Sequence, residues 1–282
     1  MSADDLPIIT FLHQQVDWTT VRFKSSEAQS SWICNNDLKI QKCPSVNMAN
    51  GRYEHLVRFY SILDKLEAMT GPERSLCNCS GSMDWPERGV YFFREPSEQR
   101  TDTGAGPRIV RVGSLGLKEH SRATLWKRLS QHKGQTTTGG GNHRGSIFRL
   151  LVGTALVERD HLDYPTWGHG NSASKEIRRV EDLLEMEVSS VIGKMPFLWI
   201  EIGDDAGRHS LRGYIEKNAI ALLSNHNKHV IDPASPDWLG RSCNRERVRN
   251  SGLWNSNHVD DHYDAAFLGE LDGLVRCFEV AQ

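Results

Sequence analysis

The sequence predicts an α+β protein with a small antiparallel sheet of three strands flanked by helices. Two short runs of β-prone residues, Gly89–Phe93 and Arg108–Gly113, are joined by a polar loop with glycine and proline, which is typical of a hairpin. A third apolar run, Phe197–Ile202, follows much later in the chain. Between and around these runs, apolar residues recur at helical spacing, so we expect helices to cover the sheet.

The N-terminal region, residues 1–85, is predicted to be mainly helical where it is regular. Its clearest element is Tyr53–Met69, in which apolar residues at positions 56, 59, 60, 63 and 66 share one helix face. Gly71 and Pro72 end this helix. The following segment, Cys77–Arg88, is rich in Ser, Gly, Asp and Pro and is predicted to be a loop.

The central region, residues 86–232, contains the hairpin, the third strand and three helices. These helices are predicted at Thr124–His132, Glu176–Val191 and Leu211–Leu223. Glycine and threonine dominate Gly134–Gly145, which is consistent either with a linker or with a flap over a substrate. A C-terminal extension, residues 233–282, ends in a predicted helix, Ala265–Phe278. The two terminal regions would serve recognition, subunit pairing or partner binding.

The composition is that of an ordinary globular protein of 282 residues, with 38% hydrophobic and 25% charged residues. No apolar stretch approaches the ~18 residues of a membrane span. The first residues lack the basic and apolar segments of a secretory signal. These features predict a cytoplasmic protein with no membrane partner, in which the six cysteines are free thiols.

The distribution of charge predicts a nucleic-acid partner, although the net charge is −2. Between Pro107 and Arg149 there are nine Lys and Arg residues and a single acid, Glu119. The acids are concentrated downstream, in residues 158–187 and 232–279. Because the local charge sets the field over a phosphate-binding face, this segment is expected to face nucleic acid.

Four side chains have the chemistry that phosphodiester hydrolysis requires. Glu216 lies beside an apolar helix stripe and could hold a divalent metal ion, while Arg128 and His132 share one helix face because they are four residues apart. Tyr91, on the first strand, is expected to be half-buried with its hydroxyl at a rim. A phenol with a pKa of ~10 is a poor base near neutral pH unless cations lower that pKa, and Arg111 could be such a cation.

The order of these residues resembles that of the GIY-YIG nuclease domain. Gly89-Val90-Tyr91 is similar to the family's first motif, and Arg111-Val112-Gly113 takes the place of the second. The family's arginine, a histidine one turn later and a metal-binding glutamate are matched by Arg128, His132 and Glu216. An asparagine closes the family's core, and Asn225 and Asn227 are both near its place. The departure is Arg111, which stands where the family has a tyrosine.

The resemblance implies a metal-dependent endonuclease that uses Mg²⁺ or Mn²⁺ and cuts DNA. It implies that Tyr91 acts as the general base or positions the water with help from His132, that Arg128 stabilises the charge developing on the phosphate, and that Glu216 holds the metal. Arg111, which departs from the family, would contact the nucleic-acid backbone or tune Tyr91. Further substrate contacts are expected from Lys127, His143, Arg144, Asn225 and Asn227. Cleavage of both strands would need two active sites or two successive events, which makes a homodimer an option.

Two other hypotheses remain open from the sequence. The first is a nucleic-acid-binding module that kept the fold and lost catalysis, with Arg111 marking the loss. The second is a zinc-stabilised interaction protein that uses Cys77 and Cys79, the only closely spaced cysteine pair. A zinc site needs a second pair of ligands, which the sequence does not offer at a similar spacing, so loop thiols are the simpler interpretation.

Overall fold

An antiparallel sheet of four strands, not three, forms the centre of the computed structural model. The strands are β1 (Arg74–Ser75), β2 (Gly89–Gln99), β3 (Pro107–Ser114) and β4 (Pro196–Glu201), in the order β1-β4-β2-β3. The added strand, β1, has only two residues and pairs with the start of β4. An Arg-Ser pair has no alternating pattern, so sequence periodicity could not predict it.

The structure describes residues 44–71, 73–117, 121, 123–135, 138, 140–207 and 209–280, with side chains from residue 51 to residue 277. Most of the predicted N-terminal region, with Cys34 and Cys43, therefore lies outside the described residues. So do four charged residues of the basic segment, at positions 118, 119, 120 and 122, and Gly139 of the glycine-rich loop. Residues 43–282 form one compact unit.

Seven α-helices surround the sheet within the described residues. They are α1 (Pro44–Thr70), α2 (Leu125–Lys133), α3 (Ile147–Asp160), α4 (Lys175–Gly193), α5 (Leu211–Leu223), α6 (Glu246–Ser251) and α7 (Phe267–Val280). The α+β class is therefore confirmed. None of the helices in the described part of the chain has both the length and the apolar character needed to cross a bilayer.

The sheet is covered on both faces, which explains why β2 is buried along its first seven residues. Val90 and Phe92 face a core built with α1, α5 and α7. Tyr91 and Phe93 point to the opposite face, where α2, α3 and α4 pack. Because neighbouring side chains on a strand alternate between faces, the two cores meet only at the ends of the strands.

The hairpin of β2 and β3 is longer than the sequence predicts because its far end carries buried ionic residues. Glu98, fully buried, accepts two hydrogen bonds from Arg108, at 2.9 and 2.6 Å. Charged residues are rarely buried unless they are paired, and the partner here lies across the hairpin. This ion pair extends the two strands beyond their apolar parts.

The last part of the chain covers the edge of the sheet. After α6, the backbone N–H of Trp254 donates to the carbonyl oxygen of Val110, at 2.7 Å. The Asn255 side chain then bonds to Val112, on the same strand. The outer edge of β3 is thereby paired with a segment that lies more than 140 residues further along the chain. This pairing brings the C-terminal region next to Arg111-Val112-Gly113, which stands in the place of the second motif.

Candidate active site

Tyr91 lies at the centre of the candidate site, fully buried, rather than half-buried at a rim. It stands on β2 opposite Gly113 of β3 and Trp199 of β4. The phenol ring crosses over Gly113, and a Cβ atom at that position would overlap the Tyr91 hydroxyl. The glycine of the second motif is therefore required by the position of the tyrosine of the first.

His132, on α2, is the hydrogen-bond partner of this hydroxyl. Its Nε2 atom lies 2.8 Å from the Tyr91 oxygen, and its Nδ1 atom lies 2.8 Å from the Oγ atom of Ser146. The ring is fully buried. Burial, followed by the nearby charges of Arg111, Arg128 and Arg149, lowers the pKa of His132 well below its usual value, so the imidazole is neutral.

Arg111 projects from β3 on the same face of the sheet as Tyr91 and is 4% exposed. Its Nη1 atom donates to the carbonyl oxygen of Trp254, and its guanidinium lies 4.7 Å from the centre of the Phe148 ring. Its Nε atom has no hydrogen-bond partner among the described residues. Burial lowers the pKa of Arg111, against the opposing effect of Tyr91 and Glu216.

Glu216 reaches the site from α5, a helix that Ser210 caps through the N–H of Gly213. Its Oε2 atom accepts a hydrogen bond from the hydroxyl of Ser114, the last residue of β3. Glu216 is partly exposed, so one carboxylate oxygen is held by the sheet while the group remains open to solvent. The two faces of the sheet meet here, because Ser114 belongs to the α5 side and Arg111 to the α2 side.

An open cleft of about 320 Å³ begins at Ser114 and runs along α2. Lys127, Arg128 and Gln131 line one wall, and the segment after β3 lines the other. That segment is held by the buried Arg212, which donates to the carbonyl oxygen of Leu115, at 3.2 Å. The cleft carries two cationic side chains, Lys127 and Arg128.

Arg128 and Lys127 are the cations that remain available in this cleft. Arg128 makes only long hydrogen bonds, to Gln131 at 3.2 Å and to the carbonyl oxygen of Gly145 at 3.3 Å. Lys127 is exposed. Neither side chain forms an ion pair with a described carboxylate, so both can bind an anion without breaking a strong internal contact.

The structure does not bring His143 and Arg144 to the cleft. His143 is buried, bonds to Glu185 through both its backbone N–H and its Nδ1 atom, and accepts the N–H of Gly168 at Nε2. Arg144 forms a two-point ion pair with Glu181, at 2.6 and 2.9 Å. Neither side chain lines the cleft, and both are engaged by buried glutamates.

This arrangement also corrects the interpretation of the basic segment. Arg149 is fully buried and pairs with Glu185, as Arg144 pairs with Glu181. Both carboxylates belong to α4, in the acidic stretch that follows the basic one. Three of the nine basic residues, Arg108, Arg144 and Arg149, are therefore neutralised by ion pairs, and the cationic side chains that line the cleft among the described residues are Lys127 and Arg128.

The two asparagine candidates, Asn225 and Asn227, follow the C-terminus of α5, the helix that carries Glu216. The side chain of Asn225 bonds to the backbone of Ile231 through both of its ends, at 3.0 and 3.1 Å, and also accepts from Arg52. Asn227 is exposed with a positive φ of 55°. The Asn225 side chain closes the loop between α5 and Ile231, and Asn227 lies in that loop with a left-handed backbone conformation. Neither residue lines the cleft.

Two functional contributions were missed from the sequence, and both come from distant residues. Trp254 supplies the carbonyl oxygen that fixes Arg111. Ser146 supplies the hydroxyl that contacts His132. The sequence offers one signal for Ser146, its position just before the apolar run that becomes α3, which is typical of a helix N-cap.

The donor set determines which metal could bind. Within the described residues no three His, Cys, Asp or Glu side chains converge in a metal-binding group, and this includes Cys77 and Cys79. Glu216 is the carboxylate next to the cleft. Mg²⁺ is commonly bound through one or two carboxylates, with waters and substrate phosphate completing its shell, so a single glutamate fits this type of site.

Comparison with protein families assigns the chain. A family model described as the GIY-YIG domain matches residues 50–280, and the chain belongs to this family. Searches of curated proteins and of solved structures gave no significant match.

Proposed function

We propose that this protein is a metal-dependent endonuclease that hydrolyses phosphodiester bonds in DNA. Membership of the GIY-YIG family supports nuclease activity in general. One observation carries the proposal to this chain: the Tyr91 hydroxyl contacts the buried neutral His132 and lies beside Arg111, a buried cation that has no ion-pair partner among the described carboxylates. In such a setting Tyr91 can take a proton from a water molecule while its own hydroxyl proton passes to His132.

In the proposed reaction, Arg128 and Lys127 bind the phosphates of the strand that occupies the cleft. A water molecule attacks the phosphorus atom, and its proton passes to Tyr91 while the Tyr91 hydroxyl proton passes to Nε2 of His132. The bond from phosphorus to the leaving oxygen breaks, and that oxygen takes up a proton from solvent. Arg128 stabilises the negative charge that develops on the phosphoryl oxygens, an effect worth about 10²–10³ in rate for one well-placed donor.

Glu216 would hold a Mg²⁺ or Mn²⁺ ion, which would neutralise phosphate charge and assist the leaving oxygen. The hydrogen bond from Ser114 fixes one of its carboxylate oxygens, and the residue is partly exposed. A glutamate fixed in this way needs little reorganisation when it binds a cation.

Arg111 is proposed to replace the second tyrosine of the family by electrostatics rather than by proton transfer. It is held by the Trp254 carbonyl and by the Phe148 ring, so its charge stays close to Tyr91. In a buried site the interaction of opposite charges is several times stronger than in water. The cation can therefore stabilise negative charge that develops on the Tyr91 oxygen during proton transfer.

The proposal is tested by cleavage of supercoiled plasmid and of single-stranded DNA with Mg²⁺ or Mn²⁺. Wild type, Glu216→Gln and Arg128→Ala are compared with Glu54→Gln, a control on the exposed part of α1. We expect wild type and the control to cut and the two site variants to lose cleavage. If Glu216→Gln cuts like wild type, the assignment of the metal site is wrong.

The same experiment separates the nuclease from a binding module. If no preparation cuts under either metal, but wild type binds DNA with an affinity that falls as salt rises, catalysis has been lost and binding retained. Parallel lanes with RNA and sedimentation of the free and DNA-bound protein test the substrate class and the proposed homodimer.

A further inference from the structure

Three tryptophans form a partly exposed aromatic surface beside the candidate site. Trp85, from the segment before β2, has its ring centre 5.3 Å from that of Trp126 on α2, with an angle of 20° between the ring planes. The same ring centre lies 5.0 Å from that of Trp199 on β4. We call Trp85, Trp126 and Trp199 the indole surface. All three residues are partly exposed, so the indoles meet at the surface of the protein.

The apolar residues below the indole surface are completely buried. On the same face of the sheet, Tyr91, Phe93 and Phe197 have exposed fractions of 0%, and so do Leu125 and Leu129 on α2. This core is closed to solvent, whereas the indoles above it are not. A group of large apolar side chains left at the surface is typical of an interaction site.

Hydrogen bonds hold the indole surface in place. The backbone N–H of Leu125, at the start of α2, donates to the carbonyl oxygen of Glu87 at 2.9 Å, which ties the segment of Trp85 to this helix. The Nε1 atom of Trp85 donates to the carbonyl oxygen of Ser80 at 2.8 Å. A surface that is already ordered loses little conformational entropy when it binds a ligand.

Three cations surround the indole surface. Arg74 stands directly opposite Phe197 in the sheet and is exposed, and residues paired in this way project from the same face. Lys127 follows Trp126 on α2, and Lys133, at the end of that helix, donates to the carbonyl oxygen of Cys79 at 2.5 Å. Within the described residues none of these three cations forms an ion pair, so their charges favour an anionic ligand.

The acids of the same region are fewer. Asp84 and Glu87 flank Trp85 in the sequence. Glu87 faces Arg88 at 4.0 Å, which leaves Asp84 as the acid of this segment without an ion pair among the described residues. The balance of unpaired charge beside the indole surface is therefore positive, and the ligand that suits it combines an aromatic ring with negative charge.

Helix α2 connects the indole surface to the cleft. Successive residues of an α-helix are about 100° apart, so Trp126 and Arg128 lie on opposite flanks of α2 with Lys127 between them. Lys127 and Arg128 line the cleft. A helix is about 10–12 Å across, so a strand that leaves the cleft over Lys127 reaches the indole surface in about three nucleotide steps of about 3.4 Å.

We propose that the indole surface binds an unpaired base of the DNA strand whose phosphates occupy the cleft, with the base stacked on Trp126. The inference deepens the proposed nuclease function and rests on its bound strand. Every nucleobase has a flat π-face, so stacking of this kind is tolerant of sequence. The phosphates on either side of the stacked base would meet the three cations.

The test compares two DNA strands that differ only in their bases. Fluorescence anisotropy gives the Kd of the full chain, in EDTA, for a labelled thymidine oligonucleotide and for an abasic oligonucleotide of the same length, which keeps the phosphates. We expect the abasic strand to bind at least about 5-fold more weakly, the lower limit for one stacked base. Equal affinities would overturn the proposal and leave the indole surface to a protein partner.

Two substitutions then locate the stacked base. Trp126→Leu keeps an apolar side chain without a flat ring, whereas Trp126→Phe keeps a ring. We expect Trp126→Leu to bind the thymidine strand about 5-fold or more weakly and the abasic strand as wild type does. Trp126→Phe should retain most of the affinity, and Tyr53→Leu, which removes an exposed aromatic ring from α1, should bind both strands normally.

These variants also reveal a different role of the indole. If Trp126→Leu weakens binding of both strands equally, or of neither, the base does not stack on Trp126. The comparison of the two strands on wild type needs no variant, so it decides the proposal even if Trp126→Leu does not fold.

Binding in EDTA separates this proposal from the nuclease activity. If wild type distinguishes the two strands but does not cut DNA with Mg²⁺ or Mn²⁺, the proposed function fails and the base-binding surface stands. If wild type cuts DNA but binds both strands equally, the base-binding surface fails and the proposed function stands.

Discussion

The Asn255 side chain pairs with both backbone groups of Val112, accepting its N–H at 3.1 Å and donating to its carbonyl oxygen at 2.9 Å. An amide side chain here continues the hydrogen-bond ladder that the edge strand would otherwise leave open. Both partners are buried. Asn255, which is more than 140 residues further along the chain, therefore helps to hold the backbone of β3, the strand that carries Arg111 and Gly113.

Replacing Asn255 with Ala should destabilise the protein. The change leaves a buried N–H and a buried carbonyl without partners, and each unsatisfied group costs about 1–3 kcal/mol. We expect the free energy of unfolding in urea to fall by about 2–4 kcal/mol. Asn250→Ala, at an exposed position on α6, is the matched control and should change it by less than about 0.5 kcal/mol. Similar effects of the two variants would argue against the role of the paired amide.

Replacing Gly113 with Ala should remove activity more than stability. The new methyl group would occupy the space of the Tyr91 hydroxyl, so the phenol must move away from His132. We expect cleavage to fall at least about 100-fold, because a displacement of about 1 Å has effects of this size. Gly269→Ala, where a Cβ meets no atom within 4 Å, should cut normally. Normal cleavage by Gly113→Ala would mean that the tyrosine position is not critical.

Two arginines that look alike in the sequence should respond in opposite ways. Arg128→Ala is expected to lower cleavage about 100-fold or more and to leave the unfolding free energy within about 0.5 kcal/mol, since its internal contacts are long and exposed. Arg144→Ala is expected to destabilise by about 3 kcal/mol, because Glu181 would stay buried without its ion pair. Urea unfolding and cleavage assays on both variants give the comparison, and a reversal of the two effects would contradict it.

Stability should fall as pH rises, through the carboxyl group of Glu95. Burial raises its pKa to about 7, although its Oε2 atom accepts a hydrogen bond from Nε1 of Trp238 at 2.6 Å. Between about pH 4.5 and 7 the folded state keeps a proton that the unfolded chain has lost, so folding weakens across this window. Glu95→Gln removes the titration and keeps the acceptor.

We therefore expect Glu95→Gln to be more stable than wild type at pH 8, by roughly 2–3 kcal/mol, and to have equal stability near pH 4.5. Urea unfolding at the two pH values measures the difference. Glu54→Gln, on the exposed part of α1, should follow wild type at both. If the difference in unfolding free energy between Glu95→Gln and wild type is the same at both pH values, Glu95 is not the group whose raised pKa makes stability depend on pH.

Removing metal should stop cleavage without unfolding the protein. The proposed ion is held by one protein carboxylate, Glu216, and no group of three metal-binding side chains occurs among the described residues. A structural metal contributes to folding, but an ion held in this way does not. With EDTA we expect no cleavage and an unchanged Tm, and added Mg²⁺ should restore cleavage. A fall in Tm with EDTA would indicate a second, structural ion.

The sequence predicts the local elements of this fold well and its long-range contacts poorly. The hairpin, the helix carrying Arg128 and the helix carrying Glu216 follow from periodicity, because each is defined by neighbouring residues. The two-residue strand β1 has no such period. The far end of β2 depends on the pairing of Glu98 with Arg108, and a buried carboxylate cannot be recognised before its partner is known.

The same difference between local features and long-range contacts applies to the candidate site. Arg128 and His132 lie four residues apart, yet His132 is fully buried and Arg128 is partly exposed, because α3 covers only one of the two side chains. His143 and Arg144 have the same chemistry as the site residues, and only the fold reveals that Glu185 and Glu181 occupy them. Sequence gives the type of a side chain, and tertiary contacts decide whether it is free to act.

The contact between Arg111 and Trp254 also sets an order of events during synthesis. The two residues are 143 positions apart, so at about 5–20 residues per second the ribosome adds the second about 7–30 s after the first. A nascent chain that has made the hairpin and α2 still lacks the carbonyl that holds its cation. A product that ends between Glu216 and Trp254, by truncation or early termination, would carry all five proposed catalytic side chains and still lack the contact that fixes Arg111.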